Sequence, residues 1–242
     1  LKFSLGSRCR AGRARGLKQA HPMEDALYKH SALLVAIESQ LKHPHPHVRI
    51  EAAASLGKFG AIAGPHAAAL AACVDDGHPE VRRQAVAALR RVGEAGAAAL
   101  EARLGDSDAE ARRQAARALG QMGTCATPHC DALSRCLADT DEWVRRSAAD
   151  ALGTIGEAAA LQTSAAVAGR LQDPEISVRR SAAVALGRMG PAAATRAGDL
   201  ASRLKSDSHV GVRNRASEAL RRMHEAAPHE RVSAGRFQTF SG

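Results

Sequence analysis

Apolar residues recur at helical spacing in blocks that repeat along most of the chain. In each block an apolar residue is followed by leucine eight positions later and by a large apolar residue three positions after that, as in Val178, Leu186 and Met189. Offsets of eight and eleven residues fall on one face of an α-helix, so each block predicts one amphipathic helix. The first positions of the six helices, at intervals of 33, 30, 33, 34 and 34 residues, are Val48, Val81, Ala111, Val144, Val178 and Val212.

A second helix is predicted ahead of each of these, because every block also has an apolar pair four residues apart, such as Leu133 and Leu137. A glycine follows five of the amphipathic helices, where it can cap the helix end. Proline at or near the start of three of the preceding helices is compatible with a first turn. Neither helix can bury its apolar face alone, so the blocks must stack. We therefore predict an all-α fold, an α-solenoid of about six helix-turn-helix repeats spanning residues 22–227. The glycines are Gly60, Gly93, Gly123, Gly156 and Gly190, and the prolines are Pro65, Pro128 and Pro191.

The best-preserved copy reads DPEISVRRSAAVALGRMG over residues 173–190. An aspartate, a short polar turn, Val-Arg and a small-residue helix ending in Leu-Gly resemble the short HEAT repeats, also called phycobilisome-lyase-like HEAT repeats. The resemblance covers residues 24–227 in six copies. The aromatic positions of tetratricopeptide repeats and the Thr-Pro-Leu-His turn of ankyrin repeats are missing from the sequence.

The resemblance implies a structural role for two columns of charged residues. In HEAT repeats the turn aspartate and the first arginine of the second helix form a hydrogen-bonded ladder between neighbouring units. The first copy has His43 in place of the aspartate, as expected of an atypical terminal unit. The aspartates are Asp76, Asp106, Asp139, Asp173 and Asp207, and the arginines are Arg49, Arg82, Arg112, Arg145, Arg179 and Arg213.

A second column of arginines, not needed for this ladder, is the candidate binding site. The resemblance places the second helix of each unit on the concave surface, where stacked guanidinium groups suit carboxylates or phosphates. Three interpretations stay open: a groove for an acidic protein segment, a nucleic-acid backbone site, or a solvated face with local partners such as Glu80 and Asp150. Trp143 replaces residues that are polar in the other copies, so we expect it to be exposed as an interface anchor. The four arginines are Arg83, Arg113, Arg146 and Arg180.

The net charge of +9 is concentrated at one end. Residues 1–20 contain six basic residues and no acidic residue, so they carry +6 of the net charge and residues 21–242 carry only +3. Residues 1–21 are predicted to form a basic arm, either a transit-peptide remnant or a partner-binding segment. Residues 228–242 lose the repeat, and Phe237 and Phe240 are expected there to dock a partner or to fold back on the last repeat. The five cysteines lack paired spacing, which favours a reducing, intracellular site, and the basic, acid-free N-terminus suggests an organelle, either mitochondrion or plastid.

Metal and cofactor sites are not predicted. Cys125, His129, Cys130 and Cys136 are close in sequence, but on a helix they point to different sides, whereas zinc needs four converging ligands. Cys136 and the equivalent Cys73 lie in a column of otherwise polar residues, so both thiols are expected to be accessible.

The residues of common enzyme motifs are missing. There is no Gly-Lys-Ser/Thr phosphate loop and no Gly-x-Ser-x-Gly turn. We therefore predict a non-catalytic protein–protein interaction scaffold, an accessory subunit of a larger complex, whose partner has an acidic segment. The alternatives are an RNA- or ribonucleoprotein-associated subunit and a bilin lyase or chaperone-like HEAT protein; with 2% aromatic residues there is little to stack on bases or hold a tetrapyrrole. No apolar run is long enough to span a membrane.

Overall fold

The computed structural model describes the backbone of residues 22–225 and the side chains of residues 31–203 and 205–224. The predicted N-terminal arm at 1–21 and the whole predicted tail at 228–242, including Phe237 and Phe240, lie outside the described residues. The helices described below therefore span residues 22–225.

Residues 22–225 form twelve α-helices in six successive pairs and contain no β-strand. The predicted α-solenoid of helix-turn-helix repeats is confirmed. Each pair is one repeat, and its first and second members are called the A helix and the B helix. In chain order the pairs are α1 (Pro22–Gln40) and α2 (Pro46–Lys58), α3 (Ala67–Ala72) and α4 (Pro79–Val92), α5 (Glu94–Arg103) and α6 (Ala109–Met122), α7 (Cys130–Cys136) and α8 (Glu142–Ile155), α9 (Glu157–Gly169) and α10 (Ile176–Met189), and α11 (Ala197–Ser206) and α12 (Val210–Glu225).

Glycine reverses the chain after each of the first five B helices, with φ between 55° and 81°. This left-handed backbone suits glycine because it has no Cβ to clash with the following carbonyl. After α4 and α8 the next A helix begins at once. After α2, α6 and α10 a seven-residue 3-10 segment intervenes, and the three predicted helix-start prolines lie in these segments. The segments are Gly60–His66, Gly123–His129 and Gly190–Arg196.

The core lies between the A and B layers and consists mainly of leucine and alanine. The leucines eight residues into the B-helix pattern are fully buried in the first five repeats. Most of the apolar pairs on the A helices are buried as well, as Leu133 and Leu137 illustrate. Because alanine fills the space between these leucines, the helix axes can approach closely and the core stays dense without aromatic residues.

Neighbouring B helices touch backbone to backbone at a glycine. A Cβ added to Gly153 would lie 2.6 Å from the Cα of Ala185 on the next B helix. Glycine occupies the same position in α2, α6 and α10, with corresponding distances of 2.7–2.9 Å. Helix α4 has Arg90 at this position.

The one junction without this glycine is also the one at which the B helices part. Helices α4 and α6 make only a small contact. The other neighbouring B helices pack along much of their length, in the pairs α2–α4, α6–α8, α8–α10 and α10–α12. Instead, α6 packs against the 3-10 turn Cys73–Asp75 at the end of the preceding A layer. The short sequence spacing of 30 residues from Val81 to Ala111 marks this junction.

Candidate functional site

Four arginine–aspartate pairs connect consecutive repeats along the edge formed by the A-to-B turns. In the first, Arg49 donates from Nε and Nη2 to the two carboxylate oxygens of Asp76, at 2.7 and 2.8 Å. Its Nη1 also donates to two carbonyl oxygens of its own turn, at 2.8 and 2.9 Å. These bidentate pairs, called rungs below, tie each B helix to its own turn and to the next repeat. The others are Arg112–Asp139, Arg145–Asp173 and Arg179–Asp207.

The rung aspartates are held in the ionised form. Burial opposes ionisation, but the hydrogen bonds from the arginine and from the backbone N–H two residues later outweigh it, and the pKa of each carboxyl is lowered. The carboxylate raises the pKa of the arginine in three of these pairs, chiefly through the side-chain hydrogen bond. The rungs therefore consist of fully charged partners at neutral pH.

Arg82 and Asp106 are the corresponding residues at the second of the five junctions, but they do not form a rung. Arg82 keeps the two turn hydrogen bonds, from Nη1 to the carbonyl oxygens of Asp76 and Gly77 at 2.7 and 3.1 Å. Asp106 instead has Arg103 at 3.7 Å, and Arg103 forms a closer pair with Asp75 at 2.7 Å. The separation of α4 from α6 therefore coincides with a change of ion-pair partners.

The four second arginines fall into two groups that differ in their local partners. Arg83 and Arg113 each donate to a glutamate three residues earlier on the same helix, at Glu80 and Glu110. In the two later B helices that earlier position holds Trp143 and a serine, so no carboxylate is present there. Guanidinium groups are therefore less neutralised in the C-terminal half of the face.

Trp143 is 45% exposed and lies beside Arg146, whose guanidinium carbon is 5.6 Å from the ring centroid. This distance is within the range of a cation–π contact. Arg146 also has Asp150 at 3.8 Å, a long separation for an ion pair. Arg180 is exposed and has no carboxylate partner among the described residues.

Two adjoining cavities follow this part of the B-helix face. A cavity of about 340 Å³ has five arginines, Asp150 and Glu218 in its lining. A second, of about 420 Å³, contains Trp143 and shares Arg146 and Asp150 with the first. We call the combined surface the arginine groove and define it by Arg113, Arg117, Trp143, Arg146, Arg180, Arg188, Arg215 and Arg222.

Sequence reasoning missed four members of the groove. Arg188 lies eight residues after Arg180, two turns along the same helical face, and this offset could have revealed it. Arg222 occupies the equivalent position in the last repeat, although it is paired with Glu218 at 2.8 Å. Arg215 belongs to a different column and is brought to the groove only by stacking of the repeats. Arg117 lies one turn beyond Arg113.

The cysteine prediction was wrong for two residues. Cys73 and Cys136 are buried, because the ends of the A helices turn inward against the neighbouring repeat. Burial raises the pKa of each thiol to about 11. No group of three or more potential metal ligands converges within the described side chains, and His129 is instead paired with Glu101 at 2.5 Å.

Models of the family described as HEAT repeats match residues 8–90, 34–105, 67–129, 97–168 and 133–221, nearly the full length of the solenoid. The chain belongs to the HEAT-repeat family. Members of this fold are typically interaction scaffolds without catalytic activity, and the family match adds no catalytic assignment. None of the helices between residues 22 and 225 is long and apolar enough to cross a membrane.

Three solved structures have a similar fold. Kap121p shares 16% identity at a TM-score of 0.64 over 83% of this HEAT-repeat chain, which spans only 26% of Kap121p. An engineered protein shares 20% identity at a TM-score of 0.52, covering 79% of this chain and 96% of its own. A designed armadillo repeat protein in complex with the peptide (KR)4 shares 18% identity at a TM-score of 0.52, covering 78% and 99%. No curated protein matches the chain in sequence.

Proposed function

We propose that this HEAT-repeat protein is a non-catalytic scaffold that binds an acidic segment of a partner protein in the arginine groove. The main evidence is that Arg180, Arg188 and Arg215 line one cavity and form no ion pair with a carboxylate among the described residues. Guanidinium groups bind carboxylates bidentately, and an unneutralised set favours an anionic ligand.

Trp143 supports a peptide over a simple anion. A half-exposed tryptophan at the edge of a charged groove offers an apolar contact to a side chain next to the acidic residues, and tryptophan and arginine are the side chains most enriched at binding hot spots. The designed armadillo neighbour is in complex with a Lys–Arg peptide. The charge of the arginine groove argues for the opposite peptide composition here.

The further parts of the proposal concern the assembly. We place the protein as an accessory subunit of a larger complex, in a reducing and organellar compartment, with residues 1–21 and the Phe237–Phe240 segment as additional contacts. RNA is the competing partner, because phosphates suit the same guanidinium groups. Few aromatic residues are available for base stacking, which favours the protein partner.

Trp143 is the only tryptophan of the chain, so its fluorescence reports on the groove directly. The test is a titration with a hexaglutamate peptide, with hexaglutamine as the neutral control and a uridine decanucleotide as the RNA probe. Changing Arg146 and Arg180 to Gln should weaken hexaglutamate binding about tenfold or more, since two groups that form charge-assisted hydrogen bonds are removed. Changing Arg83 and Arg90 to Gln removes the same charge but should weaken it less than about threefold, because neither residue lines the arginine groove.

Equal weakening in the two double variants would contradict the assignment of the site to the C-terminal half of the face. Tighter binding of the uridine probe than of hexaglutamate, at the same ionic strength, would favour the ribonucleoprotein alternative. A variant with Gln at all four second arginines is the final check. If hexaglutamate binds it as tightly as the unchanged protein, the groove is not the binding site. The four positions are Arg83, Arg113, Arg146 and Arg180.

A further inference from the structure

The junction between repeats 2 and 3, where the B helices separate, contains a cleft of its own. Its cavity, of about 180 Å³, lies between α4 and α6. Arg90 stands on α4 where other B helices have the contact glycine, and Ala118 of α6 lines the cleft instead of packing on α4. We call this the α4–α6 cleft; it is lined by Val74, Pro79, Arg82, Arg83, Val86, Gln114, Arg117, Ala118 and Gln121.

Arg82 is held in the same way as the rung arginines. Its Nη1 donates to the carbonyl oxygens of Asp76 and Gly77, as Arg49 does to the carbonyl oxygens of its own turn. In the four rung arginines, the Nε and Nη2 groups donate to the two oxygens of one carboxylate, at 2.7–3.3 Å. In Arg82 neither of these two groups has a hydrogen-bond partner among the described residues.

The surroundings of Arg82 suit a short acidic side chain. Arg117, like Arg82, forms no ion pair among the described residues, although Glu110 lies within reach of its charge, and Arg83 already donates to Glu80. Val86 and Ala118 supply an apolar floor for the methylene groups of such a side chain. Arg82 itself is fixed by two hydrogen bonds, so little conformational entropy is lost when a carboxylate binds to its planar edge.

We propose that the α4–α6 cleft binds a glutamate or aspartate side chain of a partner polypeptide, with Arg82 Nε and Nη2 on its two carboxylate oxygens. The bound carboxylate takes the place that the next repeat's aspartate has in the other rungs. The ligand class is the one in the proposed function, and this site extends it to the N-terminal half of the B-helix layer. The two sites share Arg117 at their border, but Arg82 lies outside the arginine groove, so the two proposals fail separately.

The arginine Nε–H signals in ¹H–¹⁵N NMR spectra test this site in the full chain, with the Arg82 signal assigned by its disappearance in Arg82→Gln. Hexaglutamate should shift the Arg82 signal saturably, and hexaglutamine should not. Arg82→Lys keeps the charge but removes the bidentate edge, and it should weaken binding at the cleft about tenfold. That weakening is followed through the backbone amide signals of Gln114 and Ala118.

Two matched controls separate the site from general electrostatics. Arg90→Gln removes one positive charge from the same helix outside the cleft and should change the affinity less than about twofold. Gln114→Glu leaves Arg82 intact but puts a carboxylate of this chain into the cleft, and it should abolish the Arg82 shift. Gln162→Glu, the same change on the exposed face of α9, should leave the shift in place.

An Arg82 signal that does not respond to hexaglutamate overturns the proposal, as does equal weakening by Arg82→Lys and Arg90→Gln. A response to inorganic phosphate at lower concentration than to hexaglutamate also overturns it, because the cleft would then be a phosphate site. The double variant of Arg146 and Arg180 should leave the Arg82 response unchanged. If this double variant loses the Trp143 fluorescence response but keeps the Arg82 shift, the result applies to the arginine groove and not to the cleft.

Discussion

Changing Asp173 to Asn should destabilise the solenoid much more than changing Asp106 to Asn. Asp173 is the carboxylate of the rung with Arg145, and its side chain is fully buried, at 0% exposure. Asp106 occupies the same column but forms no rung, and its side chain is 34% exposed. Asparagine keeps the acceptor that binds the backbone N–H two residues later, at 3.0 Å for Asp173 and 3.1 Å for Asp106. The comparison therefore isolates the contact with the arginine of the preceding repeat.

The magnitude follows from the bidentate pair that the substitution breaks. Arg145 donates to Asp173 at 2.9 and 3.0 Å, and its side chain is 11% exposed. Removing one partner of a buried ion pair costs about 3–5 kcal/mol, because the other charge stays buried. Arg145 keeps its two turn hydrogen bonds, so we expect the lower end, about 3 kcal/mol. The pair of Asp106 with Arg103 is longer, at 3.7 Å, and only partly buried, so it contributes about 0–1 kcal/mol.

Urea denaturation followed by far-ultraviolet circular dichroism measures the difference, which should be about 2–3 kcal/mol between the two variants. Because solenoid repeats unfold partly independently, hydrogen exchange should be followed at the same time. Faster exchange is expected in α8 and α10 of Asp173→Asn, but not in α4 and α6 of Asp106→Asn. An equal decrease of stability in both variants would refute the reasoning that the rung, and not the turn aspartate itself, stabilises the junction.

The remaining predictions concern pH, close packing and thiol access. The pKa of the rung aspartates is lower in the folded state than in the unfolded state, where it is about 3.9. Their contribution to stability is therefore complete above about pH 3.9 and is lost as the pH falls through the lower folded-state pKa values. The urea concentration at the unfolding midpoint should decrease below about pH 4, and a midpoint that stays constant down to about pH 2 would exclude this contribution. Gly153→Ala places a methyl group 2.6 Å from the Cα of Ala185 and should cost about 1–3 kcal/mol in thermal or urea unfolding. Gly169→Ala has nothing within 4 Å of the new methyl group and should be neutral or stabilising. Brief iodoacetamide treatment followed by peptide mass mapping should label exposed Cys125 and leave buried Cys130 unlabelled in the folded protein; equal labelling of both thiols would show that the A layer opens readily.

The repeat architecture could be predicted from the sequence because helical periodicity is a local property. Val178, Leu186 and Met189 lie on one helical face whatever surrounds them, and six copies of that pattern have no way to bury their faces except by stacking. The aspartate and arginine columns were equally visible. What they did not reveal is that Arg82 and Asp106 stay apart, since both residues match their columns.

The candidate site depended more on contacts between helices. The pairing of Arg83 with Glu80 is local, at three residues on one helix, and could have been predicted from the sequence. The burial of Cys73 could not, because its column is polar in other repeats and the Cys73–Asp75 turn is covered by the B helices α4 and α6. Arg215 likewise joins Arg180 only through stacking of α12 on α10.

The sequence by itself determined the number of repeats, the two helices of each and the faces that they bury. Only the tertiary structure decided which arginines remain without carboxylates and where the B layer opens. The physical reason lies in the distance between neighbouring B helices. At four junctions a glycine packs against an alanine and sets a short distance. At the α4–α6 junction Arg90 takes the place of the glycine, and the repeat spacing is shorter. A rung needs its two residues within hydrogen-bond reach, and that reach is a property of packing between repeats, not of either residue.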